Sequence, residues 1–209
     1  MSKKLFIVIA ALALTAVACG GSSKDTNASG SESTTTTPSG ETTPGTGPTS
    51  TEGLPTVTLE TSEGNIVIEM DTTKAPKAAT RFIDLVKEGF YDGLTFHRII
   101  PGFVIQGGDP EGTGMGGTGK SVVGETPSDG YPIGSLAAAK TATDEAGTFD
   151  CQFFIVTGTQ GESLPPEYAR FGKVIGGMDV VKKIESGETG ADDKPVNKVT
   201  INKATVSGA

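Results

Sequence analysis

The residues best placed to do chemistry stand in one run, Phe96-His97-Arg98-Ile99-Ile100-Pro101-Gly102-Phe103-Val104-Ile105-Gln106-Gly107-Gly108-Asp109. It reads as two apolar strands broken by a Pro-Gly turn. Apolar strands usually exclude charge, because an unpaired buried ion is costly, yet Arg98 sits between Phe96 and Ile99. Two readings are open. Arg98 can lie at a strand edge with its head in water, or its guanidinium can be held at the mouth of an apolar pocket. In the second case Gln106 on the return strand can brace it, and the Phe103 ring can line the pocket. The chemistry open to such a group is hydrogen-bond donation, not covalent attack. The chain carries no His-rich or Cys-rich ligand spacing and no evident Ser-His-acid trio, so no metal and no cofactor is expected. The single histidine, His97, points away from Arg98 if both lie on one regular strand, and reads as structural.

The flanking sequence supplies the elements that must position this run. Thr56 to Thr61 alternates at period two, 62–65 offers a turn, and Ile66 to Met70 returns, which predicts a hairpin. Pro76 suits a first helical position, Ala79, Phe82, Ile83 and Val86 recur at helical spacing, and Gly89 is the expected C-terminal cap. Strands are expected at 133–139, 152–157 and 171–175. A second helix carries Met178, Val181 and Ile184 and ends near Gly187, and a strand pair or one bent strand spans 199–206. Many short strands with two helices suggest a mainly β fold, a closed antiparallel barrel.

Residues 112–121 contain two phosphate-binding patterns. Gly114 to Ser121 spells a P-loop, and Gly112, Gly114 and Gly117 spell a dinucleotide fingerprint. Both motifs need a strand feeding the loop and a helix starting directly behind it. Asp109-Pro110-Glu111 intervenes before the loop, and Gly124, Pro127, Gly130 and Pro132 follow it, so no useful helix can form. A long surface loop is the expectation. Cys151, within Phe149-Asp150-Cys151-Gln152-Phe153-Phe154, reads as a small buried hydrophobe rather than a reactive thiol.

The run FHRIIPGFVIQGGD resembles the signature segment of the cyclophilins, which are peptidyl-prolyl cis-trans isomerases. Gln152-Phe153-Phe154-Ile155 and Phe171-Gly172-Lys173-Val174 follow in that family's order and spacing. The likeness covers about 54–206. It implies an eight-stranded barrel with one helix over each open end. It implies Arg98 as the catalytic arginine, Gln106 as the glutamine that orients it, and Phe103 among the residues holding the proline ring. Phe154 and Leu164 share that pocket role, with Val104 at a position often Met and Tyr168 where a His is common. Gln152 and the backbone near Lys140 match the groove for the substrate chain. Ala139-Lys140-Thr141 stands where many members have Ala-Asn-Ala, and Ser163 where several carry Trp. The partners implied are proline-containing segments of protein chains, and a monomer is expected.

Composition sets the context. The chain of 209 residues has net charge −8 and no basic run, which argues against nucleic acid as a partner. Lys3-Lys4, an apolar stretch over 5–18 and small residues before Cys19 predict a signal peptide at 1–18. Ala16-Val17-Ala18-Cys19 resembles a bacterial lipobox, so Cys19 is the expected lipidation site, with ordinary secretion as the other reading. Residues 20–53 are built from Ser, Thr, Gly, Pro and a few charges, with one Ala and no Val, Leu, Ile or aromatic residue. They cannot offset the entropy of ordering and read as a tether with a reach of roughly 30 Å. The expected organisation is therefore a signal at 1–18, a lipidated cysteine and tether at 19–53, and an isomerase domain at 54–209. The expected location is the extracytoplasmic face of the cell membrane, acting on exported proteins. A binding module that grips Xaa-Pro segments with little turnover is the alternative, and a nucleotide-binding protein the weaker third.

Overall fold

The computed structural model describes residues 53–208. The signal segment, Cys19 and almost all of the tether expected from sequence lie outside the described residues. The first hairpin joins β1 (Thr56–Thr61) to β2 (Gly64–Met70), pairing Thr56 with Glu69 and Thr61 with Gly64. Alternation puts Val57 and Leu59 of β1 and Ile66, Ile68 and Met70 of β2 fully inside. Helix α1 (Pro76–Lys87) begins on Pro76 and buries Ala79, Phe82, Ile83 and Val86. It stops where Gly89 turns to φ 71° and its N–H returns to the Val86 carbonyl at 3.0 Å.

The remaining elements are β3 (Thr95–Ile100), β4 (Val104–Gly107), β5 (Val122–Val123), β6 (Ser135–Ala138), β7 (Thr148–Phe149), β8 (Phe153–Val156), α2 (Thr159–Glu162), β9 (Arg170–Gly176), α3 (Met178–Glu185) and β10 (Val199–Ser207). Eight strands close in the order β1-β10-β3-β4-β8-β6-β9-β2, every neighbouring pair antiparallel. This is the expected mainly β, eight-stranded barrel. The bent-strand alternative describes β10: it pairs with β3 through Val199 and Thr200, and with β1 from Ile201 to Ser207, with a register shift opposite Glu60 and Thr61. Phe82 enters the barrel core against Tyr91, Phe153 and Phe171, with ring centroids 4.8, 5.4 and 5.3 Å away.

One expected boundary needs correction, and two features were not expected. Ile133 is outside β6 and 45 % exposed, because Gly134 at φ 90° breaks the strand before it starts. β5 and β7 form a separate two-stranded sheet that their short, mixed sequence did not announce. Besides α1 and α3, the chain forms the one-turn α2 and a 3-10 turn at Ala191–Asp193.

Candidate active site

The Pro101-Gly102 turn sets the register of the β3–β4 hairpin, with Gly102 at φ 76°. Arg98 then lies directly opposite Gln106, and Gln106 in turn opposite Phe154 on β8. The hairpin tip is anchored from two sides. The Gly102 N–H donates to Glu185 Oε1 on α3 at 2.7 Å, and the Thr157 N–H donates to the Phe103 carbonyl at 2.9 Å. Burial alone would raise the Glu185 carboxyl, but hydrogen bonds from Lys182 and Gly102 hold it below its ordinary value.

Arg98, Phe103, Val104, Gln106, Ala139, Lys140, Phe154, Leu164 and Tyr168 line one cavity of about 110 Å³. Its floor is a second apolar cluster, separate from the barrel core, in which Val104, Ala137, Phe154 and Val156 pack with Tyr131. Tyr168 meets Phe154 edge-on, centroids 5.5 Å apart. Tyr131 locks that wall: its hydroxyl donates to the Tyr168 carbonyl at 2.8 Å and accepts from the Tyr168 N–H at 3.0 Å. Burial, with Glu167 adding to it, raises the Tyr168 phenol, so it stays protonated.

At the cavity mouth Arg98 Nη1 donates to Gln106 Oε1 at 3.4 Å, and Gln106 Nε2 donates to Gln152 Oε1 at 3.0 Å. Gln152 Nε2 donates to the Gly116 carbonyl at 2.8 Å. A relay thus runs from the glycine-rich loop to the guanidinium. Gln152 itself is not in the cavity wall but lines an adjoining groove with Gly114 to Gly117, sharing Gln106, Ala139 and Lys140. Every other residue expected from sequence is in the wall. For Lys140 the expectation was backbone alone; its side chain is there too, only 5 % exposed, with Nζ 3.6 Å from Glu167 and 5.5 Å from the centre of the Tyr168 ring.

His97 departs from the regular-strand expectation. Pairing jumps from Phe96↔Gly107 to Arg98↔Gln106, so His97 is the extra residue of a β-bulge. It is 7 % exposed, and neither ring nitrogen has a hydrogen-bond partner among the described residues. Burial lowers its pKa from the ordinary 6.5, Asp109 opposes this, and Arg98 and Lys194 add to it, which favours neutral imidazole. Cys151 is buried and its thiol is pushed up to about 12 by burial and then by Asp150, so it is not a nucleophile.

The glycine-rich loop is not a phosphate cradle. Its amides are already taken by carboxylates of the chain: Asp109 accepts from the N–H groups of Glu111, Thr113, Gly114 and Gly116, and Asp150 from those of Thr118 and Gly119. The chain continues from Lys120 and Ser121 into β5, not a helix. Sequence reasoning missed Asp109, Tyr131 and Asp193, whose Oδ2 lies 3.4 Å from Arg98 Nε. A carboxylate beside a glycine run was the available signal for Asp109; the other two had none.

The family model described as cyclophilin type peptidyl-prolyl cis-trans isomerase/CLD matches residues 56–206. Peptidyl-prolyl cis-trans isomerase-like 1 of Gibberella zeae is 40 % identical over 157 residues, spanning 72 % of this chain and 93 % of that protein. Peptidyl-prolyl cis-trans isomerase ppi1 of Schizosaccharomyces pombe is 42 % identical over 151 residues, spanning 71 % and 96 %. A solved cyclophilin type peptidyl-prolyl cis-trans isomerase of Cryptosporidium parvum, crystallised in the presence of the dipeptide Ala-Pro, aligns with TM-score 0.63 and 33 % identity, covering 73 % of this chain and 98 % of that one. With the barrel, the signature hairpin and these relatives in agreement, the chain belongs to the cyclophilin family of peptidyl-prolyl cis-trans isomerases.

Proposed function

We propose that this isomerase turns Xaa-Pro bonds of exported proteins by seating the proline ring in the Phe103–Phe154–Tyr168 cavity while Arg98 donates to the twisting amide. Rotation costs about 18–20 kcal/mol because it breaks amide resonance. In the twisted state the prolyl nitrogen regains a lone pair and accepts a hydrogen bond it cannot accept in either planar form. A donor fixed at that point binds the transition state selectively. Uncatalysed exchange takes tens of seconds, so turnover on the order of 10³ per second requires roughly 5–7 kcal/mol. One charge-assisted bond contributes about 1.5–3 kcal/mol. Arg98 therefore supplies part, and the remainder comes from a preformed cavity that holds the ring and favours the twisted peptide.

The observation that carries this reading is that Arg98, held by Gln106, lines one cavity with Phe103, Val104, Phe154 and Leu164. The Ala-Pro dipeptide used with the Cryptosporidium relative has the chemistry this cavity would take. In a coupled peptide isomerisation assay, Arg98→Ala is expected to fold normally and lose about tenfold to a hundredfold in kcat/KM. Wild-type rates in that variant remove Arg98 from the mechanism. Tight peptide binding without turnover in the wild type would favour the binding-module reading.

The signal-like start, the lipobox-like Ala16-Val17-Ala18-Cys19 and the low-complexity stretch after it support a lipid-anchored form outside the cytoplasm. The anchor in this reading is the acyl chains on Cys19; among the described residues no helix is long and apolar enough to cross a membrane.

A further inference from the structure

We infer that Asp193 is a positioning residue for the reaction, its carboxylate fixing the Arg98 guanidinium through Nε while Gln106 fixes it through Nη1. The inference rests on Arg98 being the catalytic donor. Two observations carry it. The first is contact across the fold: Asp193 Oδ2 lies 3.4 Å from Arg98 Nε, although 95 residues separate them in sequence. Guanidinium is a planar fork with five N–H donors. Holding one donor on each side of its carbon fixes both the plane and its rotation, which a single brace from Gln106 cannot do. Nη2 is then the group without a partner among the described residues, in a side chain that lines the cavity.

The second observation is backbone conformation. Asp192 and Asp193 have φ 60° and 58°, and among the described residues they are the only non-glycines with positive φ. Successive left-handed L-residues are disfavoured and persist where the surroundings impose them, often at functional sites. Here the surroundings are a closed loop. Thr189 bridges to Pro195, the Gly190 N–H donates to the Lys194 carbonyl at 2.8 Å, and the Val196 N–H to the Glu188 carbonyl at 2.8 Å. The loop base is thus tied, and its tip delivers a carboxylate to β3. Stability does not explain the arrangement, because the two side chains are 40 % and 47 % exposed and such pairs add little. Orientation of Arg98 does.

The test measures kcat and KM separately in the full chain. Asp193→Ala is expected to lower kcat about three- to tenfold, with KM within about twofold. Asp193→Asn is expected to regain most of the loss, since its amide oxygen can still accept from Nε–H. Asp193→Gly suits a left-handed backbone and should be no less stable than wild type, yet as slow as the alanine variant. Asp192→Gly should keep wild-type kcat. Lysine has no Nε–H fork, so in an Arg98→Lys background Asp193→Ala should remove no further activity. Full additivity in that background, or a wild-type kcat for Asp193→Ala beside an inactive Arg98→Ala, overturns the inference alone. An active Arg98→Ala overturns it together with the Arg98 mechanism.

Discussion

Replacing Asp109 by asparagine tests whether the glycine-rich loop is part of the catalytic apparatus. Asp109 is 1 % exposed and ends the signature hairpin. Its Oδ1 accepts from the Glu111 N–H at 2.7 Å, and Oδ2 from the N–H groups of Thr113, Gly114 and Gly116 at 2.9, 2.5 and 3.2 Å. Charged hydrogen bonds contribute about 1.5–3 kcal/mol each, but a full sum overstates the loss, because amides in this half-exposed loop rehydrate when released. Asparagine keeps one acceptor and sets its NH₂ against at least one backbone donor. The loss to expect is about 2–3 kcal/mol at neutral pH. The pH dependence identifies the cause. Burial would raise the Asp109 pKa, but the four backbone amides outweigh it and hold the carboxyl below its ordinary 3.8. A depressed native pKa adds stability that is present above 3.8 and is lost as pH falls through the native value. Asp129, Asp144 and Glu185 are depressed as well, but they are common to both proteins and cancel in the difference. Urea unfolding should therefore show a gap between wild type and Asp109→Asn at about pH 7 that narrows only as pH falls below 3.8. Because the Gly116 carbonyl holds Gln152, kcat/KM should fall severalfold in the folded variant. A gap that does not change with pH, or no gap, refutes the reasoning.

The remaining predictions are shorter. Tyr131→Phe removes both hydrogen bonds to the Tyr168 backbone and should cost about 1–2 kcal/mol in denaturant unfolding, with a raised KM as the cavity wall loosens. His97 has its pKa lowered first by burial, so the stability present above its ordinary 6.5 is lost as pH falls below it; His97→Gln should flatten stability against pH below 6.5. Cys19→Ser should move the protein from the membrane fraction to the soluble one, read by detergent-phase partitioning, since no acyl chain would remain to hold it.

Much of the fold was legible because it is written locally. The Pro101-Gly102 turn fixes a register that pairs Arg98 with Gln106, and the stripe of Ala79, Phe82, Ile83 and Val86 fixes the buried face of α1. What escaped is set by partners distant in the chain. Whether His97 faces away from Arg98 depends on which residue of β4 it meets, and the bulge lets it meet none. Tyr131 precedes a proline in a loop, and nothing nearby says that its hydroxyl will bind the backbone of Tyr168. Asp193 sits in a run of acids that reads as solvated surface until the loop closes and brings it to β3.

The glycine-rich loop carries the sharpest case, since its sequence satisfies two nucleotide patterns and its structure satisfies neither. A phosphate loop works by leaving amides unpaired at a helix start, so that an anion from outside can complete them. Here the anions are Asp109 and Asp150, supplied by the chain itself, and the loop is complete without a ligand. The same glycines that let backbone amides converge on a phosphate let them converge on a carboxylate. What distinguishes the two outcomes is an acid placed just before the loop and another, Asp150, directly after β7. Once closed on those acids, the loop turns its Gly116 carbonyl to Gln152, and through Gln106 it reaches Arg98. A segment that looks like a binding site in one dimension is, in three, a support for the donor at another.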